Sequence, residues 1–165
     1  MIPVENIRSF IVDEVSGYTG LPFKEQDEPD NGETSWLVFD FSRIMDNRGH
    51  PVVEYESGIM RETQTVEFTV TLYVYGSSHL ERIIGSMKAR DWLAHTGRDG
   101  LKENLNCVLV NAGPVTNRDY KEYEDAPWIR REGFDAVFRT VQVRETEVET
   151  IDTVIIKGAD QIVSN

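Results

Sequence analysis

The stretch from Gln64 to Gly97 constrains the fold more than any other, because it reads as a strand running straight into a helix. Val66, Phe68, Val70, Leu72 and Val74 are apolar at every second position, and Glu67, Thr69, Thr71, Tyr73 and Tyr75 alternate with them. Side chains on a strand point to opposite faces in turn, so the pattern belongs to a sheet packed on one side only. Gly76-Ser77-Ser78 breaks the strand. Ser78 with Glu81 three residues on has the form of a capping box, which satisfies the free N–H groups of a helix start. Leu80, Ile83, Ile84 and Met87 follow at helical spacing, Ala94 continues the stripe, and Gly97 is a stop signal. A one-faced strand feeding a one-faced helix predicts that the helix folds back over the sheet.

Around this unit the chain reads as follows. Residues 3–16 predict a helix: Ile7, Ile11 and Val15 recur every fourth residue, Phe10 flanks them, Pro3 suits a first turn, and Gly17 or Gly20 ends it. Residues 24–34 are acidic and rich in turn formers, the composition of a loop. Trp36 to Met45 predicts a strand with Leu37, Phe39 and Phe41 on one face. Asp46-Asn47-Arg48-Gly49 reads as a turn, and Val52 to Ile59 as the returning strand of a hairpin, 36–60, that projects from the core. Leu101 to Leu105 is a short helical turn. Cys107 to Ala112 shows little polar alternation, which predicts a strand buried on both faces and closed by Gly113-Pro114.

Residues 115–132 are highly charged yet carry Tyr120, Tyr123 and Trp128, and a loop of that length tends to be functional. In the last long strand, Gly133 to Arg144, Phe134, Ala136 and Phe138 face one way and Val137, Val141 and Val143 the other. The tail is acidic from Glu145, with a detached strand expected over 153–156. The order predicts an α+β fold: a mainly antiparallel sheet of about four strands with two helices on one face, a projecting hairpin and an extended C-terminal arm. A chain of 165 residues is expected to make one domain, 1–165, with its core in 64–144, the hairpin at 36–60 and the arm at 146–165.

Seventeen basic against twenty-nine acidic residues leave a net charge of −12, which disfavours binding to nucleic-acid phosphates or anionic lipid. The one cysteine, Cys107, sits in an apolar run and reads as a small buried hydrophobe; a single cysteine allows no internal disulfide. With no leader and no apolar run of membrane-spanning length in view, a soluble cytoplasmic protein is expected. His50, His79 and His95 lack the close spacing to another ligand that zinc sites use and read as surface or cap residues. The acidic groups Glu25/Asp27/Glu28/Asp30 and Glu145/Glu147/Glu149/Asp152 lack an ordered calcium-loop pattern and read as solvated loops. Gly76-Ser-Ser-His opens a helix without the Lys or second glycine of a phosphate loop. Asp91, between Arg90 and Trp92, is either an interface or salt-bridge residue or the point where the helix bends. No catalytic, cofactor or metal residues are assigned.

The group that stands out brackets the aromatic loop: Arg118, Asp119, Tyr120, Tyr123, Trp128, Arg130, Arg131 and Asp135. Arginine and aromatic side chains are favoured anchors of protein interfaces. The same residues equally suit intrachain ion pairs that pin the loop to its own sheet, and the two roles are compatible.

Four runs in order resemble the phage neck and tail terminator proteins of long-tailed viruses: Thr71-Leu-Tyr-Val-Tyr-Gly76, Arg90-Asp-Trp-Leu93, Gly113-Pro-Val-Thr-Asn-Arg-Asp119 and Arg131-Glu-Gly-Phe-Asp135. In that family a strand leads to a helix with an Asp-Trp-Leu element, then an Asn-Arg-Asp loop and a Gly-Phe-Asp lead-in to the last strand. The resemblance spans residues 64–144, about half the chain; the N-terminal half shares only the helix-then-hairpin layout. It implies a structural virion protein of the tail or neck, assembled in the host cytoplasm and lacking catalysis or cofactor. It also implies a ring, typically a hexamer, that caps the tail tube, ends its polymerisation and offers a docking surface to the head connector. The implied partners are copies of itself, tail tube protein and the connector or neck protein, with DNA only as non-specific cargo through the lumen and no membrane. A head–tail joining or minor tail protein is the alternative within virion assembly. A small hydrolase or ligand-binding enzyme with a pocket under the 115–132 loop is the alternative outside it.

Overall fold

The computed structural model of the protein describes residues 2–25 and 35–149. Its elements are α1 (Val4–Thr19), β1 (Ser35–Glu56), β2 (Ile59–Gly76), α2 (His79–Asp91), a π-helical turn (Trp92–Thr96), α3 (Arg98–Leu105), β3 (Val108–Ala112), β4 (Thr116–Asn117) and β5 (Arg131–Glu147). The strands form one antiparallel sheet in the order β1-β2-β5-β3, with β4 also on β5. The expected α+β class is what the chain adopts, with one more helix and one more strand than predicted.

The alternation over β2 sets the layering. Val66, Phe68, Val70, Leu72 and Val74 are buried, as are Phe134, Ala136 and Phe138 on β5, and Phe68 stacks on Phe138 at 5.2 Å. The helices cover this inner face through Ile7, Ile11 and Val15 of α1, Ala89, Trp92 and Leu93 of the second helical segment, and Leu101 of α3. Each of the Val, Leu, Ile and Phe side chains among these, fully buried, contributes ~1.5–3 kcal/mol relative to exposure. That is several times the yield of a surface ion pair, ~0–1 kcal/mol, so the fold rests on this layer. Gly20, left-handed at φ 74, ends α1 by donating its N–H to Ser16 O.

Three expectations need correction. Asp46-Asn47-Arg48-Gly49 does not turn the chain: β1 continues to Glu56, with register shifts between Arg43 and Asp46 and between Arg48 and Val52. Met45 and Gly49, both at positive φ, absorb these bulges, and the true hairpin turn is Ser57-Gly58, both left-handed. Bulges and turns recruit the same residue types, so composition alone misplaces one as the other.

The second correction concerns α2. Ser78 caps it as predicted, accepting from Glu81 N, but the Glu81 carboxylate turns to Ser35 instead of completing the box. The stripe expected to face the sheet points outward: Leu80, Ile84 and Met87 are 66%, 44% and 57% exposed. The buried side is Arg82, Gly85, Ser86 and Ala89. Small residues are needed there because the helix lies close on the sheet; a Cβ on Gly85 would stand 2.7 Å from Leu21 Cδ1 and 3.2 Å from Val74 Cγ1. Asp91 does mark a change of helix geometry, since the π turn begins at the next residue and buries Trp92 and Leu93.

Third, β3 is the sheet's edge, and Val108 and Val110 are exposed rather than buried on both faces. An apolar strand with no layer over its outer face stays open. The acidic segment 26–34 and the strand expected over 153–156 lie outside the described residues.

Candidate functional site

The outer face of the sheet, away from the helices, carries the residues singled out in the sequence. The register places Thr71 beside Asp135, Tyr73 beside Gly133 and Tyr75 beside Arg131. Gly133 is required by this pairing: a Cβ there would lie 2.6 Å from Leu72 O. The chain between β3 and β5 returns along β5 through β4, crosses over at the Tyr120–Ile129 bridge and is tightened by Ala126 N donating to Tyr123 O.

Arg131 is the centre of the arrangement. Its guanidinium lies 4.2 Å from the Tyr73 ring and 4.2 Å from the Tyr120 ring, a cation between two aromatic faces. Its Nε donates to Arg118 O at 2.7 Å and its Nη1 to Tyr75 OH at 3.0 Å. Tyr75 in turn stacks on Trp36 at 5.5 Å. Burial pushes the Tyr75 hydroxyl above its ordinary pKa, although the Arg131 contact opposes this, so it stays a neutral partner.

Two carboxylates complete the pins. Asp135 accepts from Arg118 Nη2 at 2.7 Å and Nη1 at 3.2 Å, and from Thr71 Oγ1 at 2.7 Å. Asp119 accepts from Arg130 Nη1 at 2.6 Å and from the Arg131 backbone N–H at 2.9 Å. Burial alone would raise both carboxyl groups, yet these hydrogen bonds hold each below its ordinary range. Arg118, Asp119, Tyr120, Arg130, Arg131 and Asp135 are therefore brought together within one chain, as intrachain pins. Tyr123 and Trp128 are left exposed, with Lys121 and Arg130 against the Trp128 ring.

Sequence reasoning missed the platform beneath. Tyr73 and Tyr75 were legible as outer-face residues, but only the strand register shows that they receive Arg131 and that Trp36 backs Tyr75. It also missed Glu67, gripped on the same face by Arg48 Nε at 2.7 Å and Arg139 Nη2 at 2.8 Å. Hydrogen bonds from Arg139, then Arg48, keep Glu67 below the ordinary carboxylate range against the effect of burial. Beside the loop, Glu132 is buried, accepting from Asn117 Nδ2 at 3.1 Å, with His79 Nδ1 at 3.3 Å.

Beyond the Val66–Thr140 pair, the last one buried under the helical layer, β1, β2 and β5 continue as a three-stranded arm to the Ser57-Gly58 turn. The seven residues from Thr65 to Ile59 carry the arm roughly 24 Å past the core at the usual strand rise. Among the described residues, the outer edge of β1 has only the Phe23–Leu37 bridge, and β5 has no second neighbour past Arg139. A hairpin does project, but it is β1 paired with β2 about Ser57-Gly58 and backed by β5, not the expected pairing of 36–45 with 52–59.

The space under the loop holds the Arg131 sandwich. Clefts open elsewhere, of about 290 Å³ on the arm beside Met45, Glu62 and Gln142, and of about 480 Å³ between α3 and β3. Cys107 is buried and its thiol is pushed up by that burial, which makes it a poor nucleophile. Among the described residues no group of three or more His, Cys, Asp or Glu is placed to hold a metal ion, and no helix is long and apolar enough to cross a membrane.

A sheet with one covered face, a loop locked across the other and an arm reaching past the core define a structural α+β protein, whose charged groups hold polypeptide to polypeptide. The family model of phage neck terminator proteins matches residues 5–162, and the chain belongs to that family. The match covers the hairpin and most of the tail as well as the half in which the resemblance was legible. Comparison with curated proteins finds no match. The family is a structural one, with a role in the phage neck and tail among other virion proteins, which points away from enzymatic activity.

Proposed function

We propose that this protein forms a ring, hexameric as the family resemblance implies, that caps the tail tube, ends its polymerisation and presents the docking surface for the head connector. The whole chain acts as one domain in this role. The observation that carries the reading is the arm: three strands that leave the core with, among the described residues, open edges on both sides. An isolated ribbon of that length buries little of its own surface, and its open edges and exposed Val52, Val53, Tyr55 and Ile59 are suited to a neighbour.

Head-to-tail contacts between copies close into rings when the rotation between them allows it. The outward stripe of α2 and the exposed Tyr123 and Trp128 supply further apolar surface for neighbours or for the tube and connector proteins. The pinned cluster of Arg118, Asp119, Tyr120, Arg130, Arg131 and Asp135 holds the loop in one shape, so that less entropy is lost when Tyr123 and Trp128 make contact. DNA passes the lumen as cargo, and a net charge of −12 is compatible with a channel that does not retain it.

Electron microscopy of virions assembled without this protein tests the reading. Overlong tails are expected. Tails of normal length detached from full heads would instead make it a head–tail joining protein.

A further inference from the structure

Charged groups without ion-pair contacts collect at two separated places on the molecule. At the tip of the arm, the register sets two rows across the outer face, Glu54–Arg61–Glu145 and Glu56–Ile59–Glu147. Arg61 is taken by Glu145, with Nη2 at 2.6 Å and Nε at 2.9 Å from its Oε1. Glu54 and Glu56 act on Arg61 only through space, and Glu147 makes no ion pair among the described residues. These two rows therefore hold four carboxylates and one guanidinium, around an exposed Ile59.

On the body, the cleft of about 480 Å³ between α3 and β3 is lined by His95, Arg98, Asp99, Lys102, Val108 and Leu109. Arg98 and Lys102 have no ion-pair contact among the described residues, and Val108 is exposed beside them on the open edge of the sheet. In a chain of net charge −12, this is a cationic surface with an apolar floor.

We propose that the cleft receives the arm tip of a second copy of this chain. Glu54, Glu56 and Glu147 of one subunit face Arg98 and Lys102 of the next, and Ile59 meets Val108. The complementarity of charge selects this occupant: the cleft's own lining sets one carboxylate, Asp99, against Arg98 and Lys102, the arm supplies carboxylates in excess, and each surface has an apolar residue at its centre. The two surfaces differ and each chain has one of each, so the contact is head-to-tail, the type a ring needs. The arm's reach beyond the core puts the tip where a neighbour stands. Charges of this kind fix register and partner choice more than raw affinity. The inference rests on the ring reading and specifies its interface.

The test uses two charge-reversed full-length chains, Glu54→Lys/Glu56→Lys/Glu147→Lys and Arg98→Glu/Lys102→Glu, with association followed by sedimentation, alone and on purified tail tubes. Each variant by itself is expected to lose association by roughly tenfold or more, because like charges then face each other. An equimolar mixture is expected to regain it, since the unaltered arm of one variant fits the unaltered cleft of the other and the two altered surfaces also match. Neutral versions with Gln at the same positions give the same ordering with smaller losses and guard against misfolding.

Variants that associate like the wild type, or a mixture that stays dispersed, would overturn the docking while leaving the ring standing. Normal self-association of Arg98→Glu/Lys102→Glu with lost binding to tube protein or to duplex DNA would assign the cleft to that partner and overturn the proposal. A wild-type chain that remains monomeric both alone and on tube ends would overturn the ring reading itself.

Discussion

Arg118 and Asp135 meet as a fork on a fork, two nitrogens on two oxygens at 2.7 and 3.2 Å, joining the loop to the strand that follows it. The pair is partly open to solvent, with Asp135 nearly half exposed, so screening limits its strength. Arg118→Ala is expected to lower stability by about 1 kcal/mol or less, a drop of about 2–4 °C in the thermal midpoint for a chain of this size. Calorimetry checks it. Light scattering on the same variant checks whether the pinned loop serves assembly: an unchanged oligomer would remove Arg118 from any interface.

The depressed carboxyl groups fix the direction of the response to acid. Asp119 and Asp135 titrate in the folded chain below their ordinary value of 3.8. Their contribution is therefore complete above that value and is lost as pH falls through the lower folded value. Stability is expected to be level in these groups from pH 7 to about 4 and to fall below about 4 as the loop loses its pins. Asp119→Asn should start less stable and fall less over the same acid range. Thermal midpoints taken at intervals from pH 7 to pH 2 would refute this if the two proteins ran parallel throughout.

Two glycines should respond in opposite directions. Gly133 lies where an added Cβ would stand 2.6 Å from Leu72 O, a backbone atom that cannot move aside. Gly133→Ala is expected to cost about 1–3 kcal/mol through overpacking. Gly17 sits within α1, with nothing inside 4 Å of the same position. Gly17→Ala is expected to raise stability by about 0.4–1 kcal/mol by restricting the unfolded chain. Denaturant midpoints measured at constant slope separate the pair.

Where local chemistry decides structure, the sequence was readable. Val66 through Val74 alternate because one sheet face is buried, and Ser78 caps because a helix start needs an acceptor; both hold. The family was legible from four runs in the half that carries the strand–helix unit. What stayed hidden depends on which surface meets which. The stripe of Leu80, Ile84 and Met87 announces a helix and one apolar side, but periodicity carries no information on what covers that side. Val108 and Val110 are apolar without a covering layer for the same reason. Likewise Arg131 was visible as an arginine near aromatic residues, while its place between Tyr73 and Tyr120 depends on a register joining residues far apart in the chain.

That hidden surface yields the last prediction. If Leu80, Ile84 and Met87 faced the sheet, replacing any of them with a charged residue would unfold the chain. Because they face outward, Leu80→Glu and Met87→Lys are expected to leave stability within about 0.5 kcal/mol of the wild type. Arg82, on the buried side, should behave in the opposite way despite being the most polar residue of the turn. Its guanidinium donates to Gly76 O at 2.6 Å and to Ser77 O at 3.2 Å, closing the junction between β2 and α2. Arg82→Ala leaves those carbonyls without a donor and opens a void beneath the helix, for an expected loss of about 1–3 kcal/mol. Urea denaturation of the three variants measures the contrast. A large loss from Leu80→Glu together with a small one from Arg82→Ala would mean that α2 sits on the sheet by its apolar stripe after all.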